Sequence, residues 1–474
     1  MAYIQRETLH SGTGTGATGA REEQAGGFDV DVVVVGAGLA GLTAAAFAAR
    51  AGAGVVVLER AAEVGGRAAT HEDDGFLFNV GPHALYDGGH AARALADLGV
   101  RYSGRRPPAS GGLAYHGGGL HALPAGFVSL LTTNLLSLSG KLELGRVLGS
   151  LGKIDAAALE GQTLRRWLDM TFRDGVVRGL VEALMRVTAY ANDPDRSCAA
   201  ASVSQLQAGL GRGVLYLDGG WATLAGGLRS AAENAGAVVR TGQRVRSVRT
   251  HPAGADVVVG AAATAGLEES VLRARVVVLA IPPGVAASVV EGAGRETLAG
   301  WARDATPVKA ACLDLGLREL PDPRRLFVVG IDRPLYFSVH SATARLAPEG
   351  GAAIHVAKYL PSGEHDMKAA KATEAELEAF CDAVQPGWRS VVVARRYLPS
   401  MVVTGALVEA NRSRPGPEVA AVPSLLVAGD WVGAEGMIAD TAVASGRRAG
   451  GMAAAKVAEM AAAMAIGEGA TAVA

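Results

Sequence analysis

The stretch Asp31-Val-Val-Val-Val-Gly36-Ala-Gly38-Leu-Ala-Gly41 decides how we expect this chain to fold. Its four consecutive valines are apolar and branched at Cβ, which is typical of a parallel strand buried on both faces. In the GxGxxG pattern that follows, Gly36 permits a sharp turn, Gly38 lets the backbone approach a pyrophosphate, and Gly41 lets a helix pack close to the strand. The stretch therefore predicts a strand, a tight turn and a helix whose free N–H groups face phosphates.

The residues after this helix support nucleotide binding. Val55-Val-Val-Leu-Glu59 predicts a second buried strand, and Glu59 follows Gly41 by 18 residues, where a carboxylate is placed to accept hydrogen bonds from ribose hydroxyls. A lone GxGxxG would be a weak signal in a chain with 64 glycines. The strand, the helix and the acid together identify the first half of a dinucleotide-binding domain.

Composition excludes several classes of protein. The 474 residues suffice for two or three domains. Because 45 basic residues oppose 46 acidic ones, we expect no binding to nucleic acid. Cys198, Cys312 and Cys381 are widely separated and show no metal-ligand spacing, so we predict no metal site and interpret them as buried thiols in a reducing, cytoplasmic compartment.

No stretch offers the roughly 20 uninterrupted apolar residues that a membrane-spanning helix needs. The nearest candidate, Leu120 to Leu138, is interrupted by Pro124, Gly126 and Asn134. It is either a core helix or a segment that contacts a membrane peripherally.

The changing pattern along the chain predicts a discontinuous organisation. Residues 1–27 are polar and glycine-rich, and we expect a disordered leader. Residues 28–100, 212–304 and 413–462 are assigned to the nucleotide-binding domain, and residues 463–474 to a frayed tail. Residues 101–211 show helical periodicity and residues 305–412 are rich in strands. These two segments are expected to form an inserted substrate domain, a helical insertion plus a sheet.

Two further glycine-rich segments follow the first domain half. Gly65-Gly66-Arg67 is expected to bring backbone amides and a guanidinium to the pyrophosphate. Gly81-Pro82-His83 is expected to run close to a ligand. Near the end of the chain, the apolar strand ending at Gly429-Asp430 is followed by a helix whose first turn carries small residues, so that another molecule can approach closely.

Taken together, these motifs resemble the phytoene desaturase branch of the flavin amine oxidase superfamily over nearly the whole chain, Tyr216-x-x-Gly219-Gly220 included. The resemblance implies an α/β fold, with a Rossmann-like FAD-binding domain (GR2-type) and an inserted α+β substrate domain. It also implies FAD, held non-covalently because no cysteine lies near the position used for covalent attachment. Asp430 would bind the ribityl chain, backbone near Val245 would meet the adenine end, and the helix near Ala442 would point its N-terminus at the flavin pyrimidine. The expected FAD-binding residues are Gly36, Gly38, Leu39, Ala40, Gly41, Glu59, Arg60, Gly65, Gly66, Arg67, Gly81, Pro82, His83, Val245, Gly429, Asp430, Ala439, Thr441 and Ala442.

Candidate catalytic residues are few, since the sequence shows no triad or carboxylate pair. Lys309 lies in a Pro-Val-Lys-Ala-Ala-Cys segment that resembles the lysine strand of the amine oxidases, although Ile438 stands where those enzymes would carry a tyrosine. His83 and His340 are the other candidates, with packed histidines as the alternative interpretation.

The resemblance favours an FAD-dependent oxidoreductase that desaturates or isomerises a large hydrophobic, isoprenoid or carotenoid-like substrate by hydride transfer to the flavin. Such an enzyme would also need an electron acceptor, which the sequence does not identify. The alternatives are an amine or porphyrinogen oxidase that uses oxygen, and a non-catalytic flavin-binding protein.

Overall fold

A computed structural model describes residues 27–124, 126–261, 269–362, 367–420 and 422–471. Of the predicted leader, residues 1–26 lie outside the described residues. The strands are Val30–Val35 (β1), Val55–Leu58 (β2), Thr70–Asp73 (β3), Phe76–Asn79 (β4), Leu85–Tyr86 (β5), Gly104–Arg105 (β6), Leu113–His116 (β7), Gly119–Ala122 (β8), Val214–Leu217 (β9), Val238–Arg240 (β10), Gln243–His251 (β11), Gly254–Ala261 (β12), Ser270–Leu279 (β13), Val290–Glu291 (β14), Val308–Leu317 (β15), Phe327–Gly330 (β16), Leu335–Val339 (β17), Ala352–Tyr359 (β18), Val392–Thr404 (β19) and Leu425–Val427 (β20). The α-helices are Leu39–Arg50 (α1), His90–Asp97 (α2), Phe127–Thr132 (α3), Leu138–Leu151 (α4), Leu164–Thr171 (α5), Gly175–Ala189 (α6), Ala199–Gly211 (α7), Ala222–Asn234 (α8), Pro283–Val289 (α9), Arg295–Asp304 (α10), Met367–Val384 (α11) and Ala439–Thr471 (α12).

The first sheet is built around β1, as the valine run predicts. Its strand order is β10-β2-β1-β13-β12-β11-β14, and β20 also pairs with β13. β1 runs parallel to β2 and β13, with Val33 opposite Val56 and Val277. Since Val32, Val33 and Val34 are fully buried, β1 is covered on both faces, and the predicted Rossmann-like fold is confirmed.

Small residues let the helices of this domain pack closely. At Gly446 and Gly450 of α12, a Cβ atom would overlap the backbone of α1 at Ala40 and Ala44. The two helices therefore approach almost backbone to backbone. α12 continues to Thr471, past residue 463, where we expected the tail to fray; residues 472–474 lie outside the described residues.

The second sheet has the order β19-β15-β18-β17-β16-β7-β8. α11 covers one face, where Leu377 and Phe380 share a buried cluster with Leu313 and Leu315 of β15. The segment 101–211 is less purely helical than expected, because it begins with β6, β7 and β8 and its β7–β8 hairpin extends this sheet beside β16. α3 to α7 then follow as predicted. The domain boundaries themselves stay predictions.

The segment from Leu120 to Leu138 contains the end of β8, the short helix α3 and the first residue of α4. Within the described part of the chain, no helix combines the length and apolar character needed to cross a bilayer.

Candidate functional site

The glycines of the opening motif lie at the carboxyl ends of β1 and β2. α1 begins just after Gly38, which has extended backbone angles (φ −77°, ψ −179°) and provides no side-chain cap. A Cβ atom at Gly38 would meet only the Gly65 carbonyl oxygen, at 3.9 Å, so the space in front of the first turn of α1 is open. The free N–H groups of that turn are therefore available to an anion.

Glu59 lies beside this turn. Its carboxylate accepts hydrogen bonds from the Ala37 N–H at 2.7 Å and the Ala61 N–H at 2.9 Å. Each oxygen retains capacity for another donor, such as a ribose hydroxyl. β11 begins next to it, where the Gln243 N–H donates to the Glu59 carbonyl, and buried Val245 follows. Arg60 is exposed.

Arg67 and Asp430, which the sequence predicts separately, meet in space. The Arg67 guanidinium donates to Asp430 Oδ2 at 2.6 Å and to the Val403 carbonyl at 3.1 Å, and the Gly405 N–H donates to Asp430 Oδ2 at 3.0 Å. Asp430 Oδ1 is buried and has no donor among the described residues. A buried acceptor without a donor is costly, so this atom fits a ligand hydroxyl.

The start of α12 is held by Arg414, which sequence reasoning missed. Arg414 donates to the Gly436 carbonyl at 2.8 Å and to Thr441 Oγ1 at 2.9 Å. Burial lowers the pKa of Arg414 to about 10, and nearby Asp430 acts in the opposite direction. The Thr441 hydroxyl, expected to serve the cofactor, is thus engaged by Arg414. Ile438 adopts a left-handed conformation (φ 56°), a strain that a β-branched residue rarely carries outside functional sites.

A cavity of about 880 Å³ opens beside this helix start. At one end it is lined by Arg67, Pro82 and His83, and by Met437 to Asp440. Beyond them the wall is mostly apolar and combines helices of the insertion with the second sheet. Its side chains there include Leu144, Leu148, Leu180, Leu184, Phe327, Tyr336 and Met401.

His83 is the one catalytic candidate that lines the cavity. Its Nδ1 lies 3.0 Å from the Gly81 carbonyl oxygen, and its ring packs edge-on against Trp221 at 4.8 Å. Burial lowers the pKa of His83 to about 4, so the ring is neutral at neutral pH. Because a carbonyl oxygen can only accept a hydrogen bond, the single ring proton lies on Nδ1, which donates to Gly81.

Lys309 and His340 do not line the cavity. Lys309 precedes Ala310, whose side chain joins the buried cluster of Tyr336, Tyr359 and Met401 beside the cavity. Because neighbouring strand residues face opposite sides of a sheet, Lys309 points away. His340 is buried behind the lining residue Tyr216, on which it stacks at 3.8 Å.

A buried polar row crosses the second sheet near His340. Arg396, Asp314, His355 and Ser338 lie opposite one another on four adjacent strands. The Asp314 carboxylate accepts from His355 Nδ1 at 2.6 Å, from Arg396 at 2.6 and 3.0 Å, and from the Cys312 thiol at 3.0 Å. The ligand-capable atoms of Cys312, Asp314 and His355 lie within 4.8 Å of one another, but the Arg396 guanidinium disfavours a cation. We interpret the row as a buried ion-pair network.

His340 should limit stability in mild acid. Burial, with His355 and His83 nearby, holds its pKa well below 6.5, and neither ring nitrogen has a partner among the described residues. Unfolded His340 takes up a proton as the pH falls through 6.5 whereas folded His340 does not, so acid favours unfolding.

We therefore expect His340→Phe to keep the stacking on Tyr216 and to stabilise the protein by about 2 kcal/mol more at about pH 5 than at about pH 7.5. Urea unfolding of both proteins at the two pH values measures this difference. An unchanged pH dependence would show that His340 is protonated in the fold.

Known proteins share both the sequence family and the fold of this chain. The family model described as flavin containing amine oxidoreductase matches residues 39–307, more than half of the chain. One component of the limonene dehydrogenase of Castellaniella defragrans is 57% identical over 56 residues, 12% of this chain and 10% of that protein. Carotenoid 3,4-desaturase of Haloarcula japonica is 54% identical over 52 residues, 11% of this chain and 10% of that protein. The chain thus aligns with about a tenth of the length of these curated relatives.

The fold also has solved counterparts. An oxidoreductase from Methanosarcina mazei superposes with a TM-score of 0.68 over 88% of this chain and 99% of its own, at 18% identity. At that identity the likeness concerns the fold alone.

Proposed function

The chain belongs to the flavin containing amine oxidoreductase family and is a flavin-dependent oxidoreductase, and from this premise we propose that it uses non-covalently bound FAD to desaturate a large apolar, isoprenoid-like substrate. The observation that carries the substrate class is the cavity of about 880 Å³. Its wall beyond the flavin end is mostly apolar and includes leucine, phenylalanine, tyrosine and methionine side chains, although Arg106, Arg212 and Arg324 also line it; the apolar part suits a hydrocarbon chain.

The described residues offer groups suited to the pyrophosphate, the adenosine ribose, the ribityl chain and the flavin end of FAD. The open first turn of α1 after Gly38 would hold the pyrophosphate, and Glu59 would hold the adenosine ribose. Asp430 Oδ1, which lacks a donor among the described residues, would accept a ribityl hydroxyl. The start of α12 at Ala439 lies at the cavity, so its N–H groups and helix dipole would favour negative charge on the flavin.

The protein's contribution to the reaction is positioning and exclusion of water. When bound, the flavin would supply an acceptor for the hydride of one substrate carbon, while the neighbouring carbon would lose a proton to solvent water as the C=C bond forms; an external electron acceptor would then take the two electrons. The apolar wall holds the C–H bond in place and keeps competing water out. The strained turn at Ile438 and the edge-packed ring of His83 shape the reacting end of the cavity.

Two observations favour desaturation over amine oxidation. Lys309 points away from the cavity, and Ile438 takes the place of a framing tyrosine. The curated relatives aligned above are named for limonene and for a carotenoid, both isoprenoids, although the alignments cover only short segments.

The test is to express the protein in bacteria that make phytoene or squalene and to compare the extracted lipids by chromatography with absorbance detection. We expect new polyene peaks at longer wavelength. An unchanged lipid profile from yellow, FAD-loaded protein would exclude these substrates, and putrescine-dependent release of hydrogen peroxide would support an amine oxidase instead.

Lys309→Met provides a second test of the reaction class. Because Lys309 does not reach the cavity, we expect the variant to form polyenes at the parental rate and to show the same rate of anaerobic flavin reduction. A matched variant at the cavity wall, Leu184→Lys, should lose polyene formation because it buries a charge against an apolar substrate. A slowing of roughly 10-fold or more in Lys309→Met would contradict this assignment, since one general acid–base group contributes at least that much.

A further inference from the structure

Helix α3 and the start of α4 expose an unusual concentration of large apolar side chains. Phe127 is 76% exposed, Val128 72%, Leu131 56%, Leu138 77% and Leu142 66%. We call these five residues the α3–α4 apolar surface. Soluble monomers usually scatter such residues singly, and a group of this kind marks an interaction site.

The five side chains form one surface. Phe127, Val128 and Leu131 share a side of α3 by helical spacing, and Leu138 and Leu142 share a side of α4. The Lys141 ammonium donates to the Leu131 carbonyl oxygen at 2.7 Å, which holds the end of α3 beside the first turns of α4.

The segment that carries this surface, residues 126–153, has three basic residues and one acid, and the Asp174 carboxylate also lies beside the start of α4, where it accepts from the Ser137 hydroxyl at 3.3 Å. Lys141, Arg146 and Lys153 lie on or just after α4. The acid in the same segment, Glu143, accepts hydrogen bonds from the Arg173 and Asp174 N–H groups at 2.8 and 2.9 Å, so it serves the start of α6. An apolar centre with basic residues beside it matches a bilayer that carries anionic headgroups.

The same segment forms part of the cavity wall. Leu123 and Pro124 precede α3, Leu144 and Leu148 lie on α4, and all four line the cavity. A molecule bound at the α3–α4 apolar surface would therefore lie next to the cavity. A bilayer fits this position better than a protein partner, because it is both a surface for the apolar side chains and a reservoir of apolar molecules.

We propose that the α3–α4 apolar surface inserts into the headgroup layer of an anionic lipid bilayer, with Lys141, Arg146 and Lys153 at the level of the phosphates. Binding to the bilayer needs neither substrate nor turnover. It can therefore be tested, and can fail, separately from the proposed desaturation.

The experiment is flotation of the FAD-loaded full chain with vesicles of phosphatidylcholine, alone or mixed with phosphatidylglycerol. We expect binding to the mixed vesicles, and partitioning roughly 100-fold weaker for the triple variant Phe127→Ser, Val128→Ser, Leu131→Ser, because three apolar side chains no longer insert. Since all three side chains are exposed, the thermal midpoint of the variant should match that of the parent. A matched control, Val238→Ser, Val271→Ser, Val393→Ser, replaces exposed valines on strands away from this surface and should bind like the parent.

A charge variant separates the electrostatic contribution to vesicle binding from that of the inserted apolar side chains. Arg146→Gln with Lys153→Gln should weaken binding to mixed vesicles by roughly 30-fold and remove most of its salt dependence. Three results would overturn the proposal: a parent that floats with neither vesicle, a valine control that loses as much binding as the α3–α4 variant, or a parent dimer in light scattering that the α3–α4 variant converts to monomer. The last result would assign the surface to a second copy of the chain.

Discussion

Gly38→Ala is expected to give a folded protein that no longer retains FAD. Gly38 has extended backbone angles that alanine adopts without strain, and an added Cβ would meet only the Gly65 carbonyl oxygen, at 3.9 Å. The methyl group would instead occupy the open space before the first turn of α1, where the pyrophosphate is expected. We expect affinity for FAD to fall by ~100-fold or more, because displacing the pyrophosphate removes several charge-assisted hydrogen bonds.

The measurement is flavin content after gel filtration, followed by titration of the apoprotein with FAD. Gly41→Ala is the matched comparison, because its Cβ would overlap the Gly36 carbonyl oxygen and force the turn to shift. That variant should lose thermal stability even without flavin, whereas apo Gly38→Ala should unfold at the parental midpoint. Full retention of FAD by Gly38→Ala would show that the pyrophosphate binds elsewhere.

The first sheet was predictable because its signal is local. The valines of β1 and the glycines around Gly38 specify a buried strand and a turn within a dozen residues, and β2 ends at Leu58, directly before the expected acid, Glu59. In such a βαβ unit, backbone sterics and burial act on neighbouring residues, so the sequence itself contains the pattern.

The sequence predicted individual residues of the cofactor site but not the contacts between them. Arg67 and Asp430 were each expected near FAD, yet their ion pair joins positions 363 residues apart. No sequence pattern predicted a role for Arg414, because an arginine in an irregular segment is usually solvated. Only the fold brings Gly436 and Thr441 within hydrogen-bond distance of it.

The second sheet was the hardest part to predict. The β7–β8 hairpin lies in a segment dominated by helical periodicity, and only pairing with the distant β16 makes it part of the sheet. Asp314 likewise sits in an apolar strand, and the partners that justify its burial, His355 and Arg396, come from two other strands. Long-range pairing of this kind leaves no trace in local spacing.

Asp314→Ala should cause the largest loss of stability among single substitutions in the second sheet. The Asp314 side chain is completely buried, and its removal leaves the His355 Nδ1 without its acceptor and takes from the Arg396 guanidinium its carboxylate partner, so that the Asn79 carbonyl oxygen is the acceptor that remains to Arg396 among the described residues. Breaking one side of a buried ion pair costs about 3–5 kcal/mol, and urea unfolding of the apoprotein near neutral pH should report a loss of that size. Asp314→Asn, which keeps the volume and one acceptor oxygen, should lose less.

The same network predicts how acid acts on the protein. Burial raises the pKa of Asp314, but His355, Arg396 and Cys312 outweigh burial and hold it below its ordinary value of 3.8. A carboxylate whose pKa is lower in the fold contributes stability that is fully present above about 3.8 and is lost as the pH falls through the folded value. Asp314→Asn should therefore remove part of the acid destabilisation below that pH.

A double-mutant cycle tests what causes the loss of stability in Asp314→Ala: the broken ion-pair network, or the cavity left where the side chain is truncated. Arg396→Met removes the partly buried charge that pairs with Asp314, so the double variant Asp314→Ala, Arg396→Met should lose less stability than the two single variants summed, by about 1–3 kcal/mol. Strict additivity would show that Asp314 and Arg396 act independently despite their 2.6 Å contact. In that case, packing around β15 would account for the whole loss.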